Sequence, residues 1–149
     1  MEWTRGEHRI TDNSAELDMA ATKRLIWSTY WADQRSEADI ETSIANSVCV
    51  GLFKGKEQIG FARAVTDYST CSWICDVVVD NAHRGNGLGK WMVETLLAHP
   101  KLGRGKQILA TRDAHSLYER FGFEPFPCLI RFMAGSQACP VTDRPKPMA

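Results

Sequence analysis

Arg84-Gly85-Asn86-Gly87-Leu88-Gly89-Lys90 is the most informative segment of this chain. Its three glycines stand at alternate positions, where they let the backbone adopt positive φ and bring N–H groups against an anion without obstruction by a Cβ. A helix is predicted to follow at once, and its unpaired N–H groups and positive dipole end add to the same place. The segment therefore predicts a turn that binds a phosphate or a pyrophosphate.

The spacing within this segment separates three kinds of nucleotide-binding loop. A P-loop requires Gly-x4-Gly-Lys-Ser/Thr, but Arg84 stands five residues before Gly89, and Trp91 after Lys90 offers no hydroxyl for Mg²⁺. A dinucleotide fingerprint requires Gly-x-Gly-x-x-Gly, and here the third glycine comes one residue early. The pattern that matches is Arg/Gln-x-x-Gly-x-Gly/Ala, through Arg84, Gly87 and Gly89.

Apolar periodicity and turn residues on both sides of the segment predict an α+β fold. Strands are predicted over residues 3–11, 48–53, 58–66, 71–80, 107–110 and 126–133, and helices over 18–30, 37–46, 86–99 and 114–121. The order β-α-α-β-β-β-α-β-α-β combines antiparallel hairpins with one crossover, which favours a mixed, mostly antiparallel sheet flanked by helices over a repeating βαβ array.

The length of 149 residues is that of one domain, and neither a repeat nor a linker divides residues 1–135. We therefore predict a single domain over residues 1–135. Residues 136–149 contain three prolines among polar residues and are predicted to form a partly disordered tail.

Composition and charge exclude several classes of function. The 18 basic and 18 acidic side chains cancel, so we expect neither nucleic-acid binding nor attraction to an anionic membrane. The N-terminus has no apolar leader and the chain no long apolar run, which predicts a cytoplasmic protein. The five cysteines are an odd number without paired Cys or His clusters, which favours reduced thiols over disulfides and predicts no metal site.

A second segment, Thr111-Arg112-Asp113-Ala114-His115-Ser116-Leu117-Tyr118-Glu119-Arg120-Phe121-Gly122-Phe123, completes a resemblance. Together with the glycine turn it is similar to the GNAT acetyltransferase superfamily, which carries Asn-x-x-Ala-x-x-Phe-Tyr-x-x-x-Gly-Phe here. The resemblance covers about residues 48–125, and residues 30–36 are similar to a group of small bacterial GNAT proteins. Thr111 stands where many relatives have Asn, so a contact of that Asn to the cofactor cannot be assumed.

The resemblance implies acetyl-CoA as cofactor, with its pyrophosphate on the glycine turn and its pantetheine arm along the preceding strand. The residues implied in cofactor binding are Val77, Val78, Val79, Arg84, Gly85, Asn86, Gly87, Leu88, Gly89 and Lys90. The resemblance also implies that Tyr118 donates a proton to the departing thiolate. The alternative for Tyr118 is a core aromatic, because it shares a helical face with Ala114 and Phe121.

Asp76 is the candidate general base, because it is an ionisable group inside an apolar strand, where desolvation could raise its pKa. The alternatives are an ion pair with Arg63 or Arg35, a hydrogen bond to a neighbouring loop, and a water chain in place of a side-chain base. His83 and His115 are weaker candidates, because both are expected at the surface.

Tyr30, Trp31 and Arg35 are the candidate acceptor-binding residues, since the first two helices cover that side of the cleft in the family. Aromatic walls suit a small amine, and Arg35 could hold a carboxylate. We predict an acetyl-CoA-dependent N-acetyltransferase, monomeric or homodimeric, that acts directly on a primary amine of a small molecule. The alternatives are a non-catalytic acyl-CoA-binding module and a protein lysine or N-terminal acetyltransferase.

Overall fold

The computed structural model describes residues 1–131, which form an α+β fold around a six-stranded sheet. The elements in chain order are β1 (Glu2–Arg5), β2 (His8–Thr11), α1 (Met19–Trp27), α2 (Glu37–Ala45), β3 (Val48–Lys54), β4 (Glu57–Thr66), β5 (Cys71–Val79), α3 (Leu88–Leu97), β6 (Lys106–Ile108) and α4 (His115–Glu119). The strands lie in the order β1-β2-β3-β4-β5-β6, with every pair antiparallel except β5 and β6. The predicted α+β class with a mixed, mostly antiparallel sheet is confirmed.

Helices cover both faces of the central strands. On one face, α1 and α2 pack with β4 and β5 through Leu25, Ile26, Ile40, Ile44, Phe61 and Val78. On the other face, α3 packs through Met92, Leu96, Val50, Ile59 and Val79. Because both faces of the central strands are buried, β3 and β4 read as nearly continuous apolar runs rather than as alternating ones.

Side-chain caps set the start of the two N-terminal helices. The Asp18 carboxylate accepts the Ala21 N–H at 3.0 Å, and the Ser36 hydroxyl accepts the Asp39 N–H at 3.1 Å. The first helix ends at Trp27, before the predicted end at residue 30. The connection between α1 and α2, which contains Tyr30, is therefore longer than predicted.

Two predicted strands differ from the structure. Residues 3–11 form two strands, because Gly6 adopts a φ of 57° and turns the chain so that Arg5 pairs with His8. Residues 126–131 are not in a strand, and their side chains are largely exposed, Phe126 at 87%. Pro125 and Pro127 lack the N–H donors that a strand needs. Residues 132–133 and the predicted tail, 136–149, lie outside the described residues.

Strand β5 is irregular in two ways that matter for the site. Its register with β4 shifts because Phe61 pairs with Val78 but Arg63 pairs with Cys75, so β5 has a bulge at residues 76–77, where Asp76 has a φ of 48°. Its pairing with β6 extends only from Cys71 with Lys106 to Trp73 with Ile108, although β5 continues to Val79. The two parallel strands therefore diverge and leave a cleft beside the second half of β5.

Within residues 1–131, no helix has the length and apolar character needed to cross a membrane.

Candidate active site

The glycine turn lies at the carboxyl end of β5. Arg84 Nε donates to the carbonyl oxygen of Val79 at 2.9 Å, which fastens the turn to the strand. Gly85 and Gly87 have φ values of 86° and 72°, as predicted, and a Cβ built on either would meet no atom within 4 Å. Gly89 differs from the prediction, because it lies in the first turn of α3 and does not have positive φ.

The first turn of α3 is open to a ligand. Gly87 is its N-cap residue, and no side chain caps the helix there. Trp91 is the first residue whose N–H returns to Gly87, at 3.0 Å, so the preceding N–H groups point out of the helix start. Such an end, with open space at both positive-φ glycines, suits an anion.

A cavity of about 450 Å³ occupies the cleft between β5 and the chain that follows β6. Its lining comes from Tyr30, Trp31, Arg35, Arg63, residues 73–77, residues 109–114, Leu117 and Tyr118. Most of this surface is apolar, and its charged side chains are those of Arg35, Arg63, Asp76, Arg112 and Asp113. The cavity has the size typical of small-molecule sites, ~300–1,000 Å³.

The structure brings together the predicted catalytic and acceptor residues but leaves most of the predicted cofactor residues apart from them. Tyr30, Trp31, Arg35, Asp76 and Tyr118 all line the cavity, and of the cofactor set Val77 does. The side chains of residues 78 and 79 are buried on opposite faces of the sheet, so these residues can offer a ligand only their backbone. The turn at residues 84–90 lies beyond the strand end, outside the cavity lining.

Asp76 is held in an ion-pair network at the floor of the cavity. Its Oδ2 accepts from Arg63 Nε at 2.6 Å and from Arg35 Nη1 at 2.7 Å, and its Oδ1 accepts from Arg35 Nη2 at 3.1 Å. Arg63 also donates to the hydroxyl of Ser47 at 3.1 Å. The predicted alternative, an ion pair with Arg63 or Arg35, is thus present with both arginines.

The expected rise in the pKa of Asp76 is wrong. Burial acts to raise this pKa, but hydrogen bonds and charges from Arg35 and Arg63 outweigh burial and hold the pKa below its ordinary value. The carboxylate is therefore ionised and weakly basic. This environment does not favour Asp76 as an acceptor of protons near neutral pH.

Tyr118 is buried, with its ring edge against Phe123 at a centroid distance of 5.8 Å. Burial, and then the negative charge of Asp113, raise the pKa of its phenol above the ordinary value. Among residues 1–131 no group bonds to the Tyr118 hydroxyl, and no fully buried side-chain polar atom lacks a partner, so the hydroxyl is accessible from the cavity. Tyr118 thus remains protonated at neutral pH and able to donate.

Sequence reasoning missed Arg112. Its guanidinium carbon lies 3.9 Å from the centroid of the Tyr30 ring, which in turn meets Trp31 edge-on at 4.9 Å. The neighbouring Thr111 accepts the Ala114 N–H at 3.0 Å and so helps to start α4. The only sequence signal for Arg112 was its position beside Thr111 in the second motif, which says nothing about Tyr30.

The two weaker histidine candidates do not line the cavity. His83 is half-buried in the 3-10 turn before the glycine turn, and His115 is the exposed first residue of α4. Neither is placed to exchange a proton inside the cavity.

Comparison with known proteins places these features in a wider group. A model of the acetyltransferase (GNAT) family matches residues 17–123. A solved structure from Xanthomonas campestris pv. campestris, assigned to the GNAT acetyltransferases, is 34% identical and superposes with a TM-score of 0.80. The match covers 86% of this chain and 94% of the Xanthomonas chain. A Gibberella zeae protein assigned as an acetyltransferase is 26% identical in an alignment of 148 positions that covers 83% of each chain. A histone acetyltransferase of Glycine max is 36% identical. The matched region covers 85% of this chain and 61% of the Glycine max protein.

Proposed function

Because this chain belongs to the GNAT family of acetyltransferases, we propose that it transfers an acetyl group from acetyl-CoA directly to the primary amine of a small molecule. The observation that carries the proposal is the cavity, where Tyr118 and the backbone of Val77 face the aromatic side chains of the α1–α2 connection. A concave cleft of about 450 Å³ suits a small amine better than it suits a flat protein surface.

Two features at the carboxyl end of β5 support acetyl-CoA as the donor. The N–H groups at the start of α3 and the open positive-φ positions of Gly85 and Gly87 would hold the pyrophosphate. Beyond Trp73, β5 has no strand partner on its β6 side among the described residues, so the backbone of residues 77–79 is free to pair with the extended pantetheine arm. When bound, acetyl-CoA supplies an acetyl group activated as a thioester.

Tyr118 donates the proton that the departing thiolate needs, because its hydroxyl is protonated and accessible from the cavity. Asp76 has a different role from the base predicted for it. It holds Arg35 and Arg63 in place and stabilises the bulge of β5. The amine loses its proton to water in the cavity. An amine that enters as an ammonium must lose that proton before it attacks, since only the free lone pair is nucleophilic.

Acetylation of protein lysines is the second candidate, favoured by the similarity to the Glycine max histone acetyltransferase. The charges of the cavity oppose it. Three guanidinium groups, of Arg35, Arg63 and Arg112, face two carboxylates, of Asp76 and Asp113, so a lysine-rich peptide meets net positive charge.

The experiment combines thermal unfolding with and without acetyl-CoA and a thiol-release assay over small amines and a lysine-containing histone peptide. Acetyl-CoA at one hundred times its Kd should stabilise the protein by about 2.7 kcal/mol. Release of CoA with a small amine, and not with the peptide, is the expected result. Stabilisation with turnover only on the peptide would favour the second candidate, and stabilisation with no turnover would favour the non-catalytic binding module.

A further inference from the structure

Arg112 and Tyr30 form a contact across the mouth of the cavity. Tyr30 lies in the connection between α1 and α2, and Arg112 lies between β6 and α4, so the stacked pair joins the two walls of the cleft. Arg112 is exposed, and among residues 1–131 no carboxylate lies within ion-pair distance of it. Its charge is therefore available to a ligand that enters the cavity.

Arg35 and Arg63 are less available than Arg112. Arg35 directs two of its nitrogens to Asp76, and Arg63 directs its Nε to the same carboxylate. The Arg63 side chain is also buried, with 11% of its surface exposed. Of the cavity's three arginines, Arg112 is thus the one without an anionic partner among the described residues.

The Arg112 guanidinium lies over the Tyr30 ring, and within residues 1–131 Arg112 donates no hydrogen bond. A guanidinium that lies over an aromatic ring is oriented by that ring, and its in-plane N–H groups still point outward as a fork. A fork of this kind matches the two oxygens of a carboxylate through parallel hydrogen bonds. Tyr30 therefore prepares Arg112 for a planar anion.

A negative charge, that of Asp113, lies near Tyr118, the proposed general acid. Asp113 lines the same cavity and is close enough to Tyr118 to raise the pKa of its phenol. An ammonium group entering the cavity is attracted toward Asp113 and so toward Tyr118. Trp31 and Trp73 provide apolar surface between the charged groups for the carbon skeleton of a ligand.

We infer that the acceptor is a small amino carboxylate, whose carboxylate pairs with Arg112 at the mouth of the cavity while its amine lies beside Tyr118. This inference rests on the proposed function. A monoanion is favoured over a phosphate, because three guanidinium groups against two carboxylates leave a single net positive charge. Arg112, and not Arg35 as predicted from the sequence, would then bind the carboxylate of the acceptor.

The experiment compares acceptors that differ in one group. Phenylalanine is paired with phenethylamine, 4-aminobutyrate with butylamine, and β-alanine with phosphoethanolamine, each at saturating acetyl-CoA. We expect the carboxylate member of each pair to have the higher kcat/KM. In Arg112→Gln the ratio within the first two pairs should fall by about 10- to 100-fold, chiefly through KM, as for loss of a charge-assisted pair. Arg112→Lys should lose part of the ratio, because it keeps the charge without the fork.

Arg104→Gln is the control, because Arg104 is exposed and does not line the cavity, and it should leave the ratio unchanged. A wild-type preference for the amines without a carboxylate, or for phosphoethanolamine, would overturn the inference and leave the proposed function intact. If no amine is acetylated, the proposed function fails. Calorimetric titration with the same amino carboxylates then decides the inference, which stands if binding depends on Arg112 and falls if it does not.

Discussion

Tyr118 and Asp76 share one cavity, and their surroundings move their pKa values in opposite directions. The pKa of Tyr118 is raised by burial and by the charge of Asp113, whereas hydrogen bonds and charges from two arginines outweigh burial and lower that of Asp76. Near neutral pH the phenol is therefore a proton donor, and the carboxylate is a fixed negative charge. Environments that separate two ionisable groups in this way assign different roles to them.

Tyr118→Phe should lower kcat by about 10²- to 10⁴-fold, because it removes the proposed general acid and keeps the buried ring. The KM for acetyl-CoA should stay nearly unchanged, since the ring still packs against Phe123. Steady-state kinetics of the thiol-release reaction measures both values. Tyr68→Phe is the matched control, because Tyr68 is 63% exposed and lies outside the cavity. A Tyr118→Phe protein with normal turnover would remove Tyr118 from the mechanism.

Asp76→Asn should lower the free energy of unfolding at neutral pH by about 3 kcal/mol, because it leaves the positive charges of Arg35 and Arg63 unbalanced. Asn tolerates the positive φ at this position, so the backbone is little affected. The folded-state pKa of Asp76 is below 3.8, its ordinary value. Its ion pairs therefore contribute stability above that pH, and the contribution is lost as the pH falls through the lowered pKa.

Urea unfolding of the wild-type and Asp76→Asn proteins between pH 7 and pH 3 measures this contribution. The difference between them should be constant above about pH 5 and shrink below about pH 4. A difference independent of pH would mean that packing, not the charge of Asp76, stabilises this part of the sheet.

Among the elements, β5 and α3 share one turn and have separate tasks. The strand carries Asp76 and the backbone edge beside the cavity, and the helix start presents its N–H groups beyond the strand end. Gly87 is where the strand passes into the helix, with positive φ and open surroundings. We therefore propose that this pair of elements binds the anion at the helix start and pairs with the ligand along the strand edge.

Gly87→Asp should abolish most of the affinity for acetyl-CoA, because the side chain enters the space at the helix start and adds a charge like that of the pyrophosphate. Gly55→Asp is a matched control, because Gly55 also has positive φ and open surroundings but lies in the β3–β4 hairpin. Isothermal titration calorimetry should show loss of binding in the first variant and normal binding in the second. Equal affinity in both would exclude the turn as the pyrophosphate site.

Elements were predictable where their signals are local. The starts of α1 and α2, the β3–β4 hairpin and the strand, turn and helix around Gly87 lie close to where residue type and spacing placed them. The two strand predictions that failed are those in which a glycine or prolines interrupt an apolar segment. Gly6 divides the first strand, and the prolines before Cys128 prevent the last one over the described residues.

For the molecule as a whole, the cleft exists because β5 and β6 meet at one end and diverge at the other. They pair from Cys71 to Trp73, and at this end a Cβ on Gly105 would overlap the carbonyl group of Thr70. The two chain segments can approach only because residue 105 has no side chain. The close contact between β5 and the segment before β6 thus sets one end of the cleft, and the divergence of the two strands opens the cavity at the other end.

Gly105→Ala should destabilise the protein by about 1–3 kcal/mol, because its methyl group forces the segment before β6 away from Thr70. Gly89→Ala is the control, since its Cβ would make an ordinary contact, 3.7 Å from Val79, within a helix. That variant should be neutral or stabilised by up to about 1 kcal/mol. Chemical denaturation gives the free energy of unfolding of both variants. A Gly105→Ala protein with unchanged stability would show that the close contact between residue 105 and Thr70 is not required.

Local chemistry in the chain sufficed to predict the α+β class, the order of the central elements, the positive φ of Gly85 and Gly87 and the selection of Asp76, whereas Tyr118 was selected through the family resemblance. These follow from turn residues and periodicity within short windows. The ion pair of Asp76 with Arg35 or Arg63 was only one of several alternatives at that stage, because Arg35 lies 41 residues from Asp76 and meets it only when the α1–α2 connection folds over β5. The direction of the Asp76 pKa and the stacking of Arg112 on Tyr30 depend on such long-range distances. Electrostatic energy varies with separation in space, which spacing along the sequence does not specify.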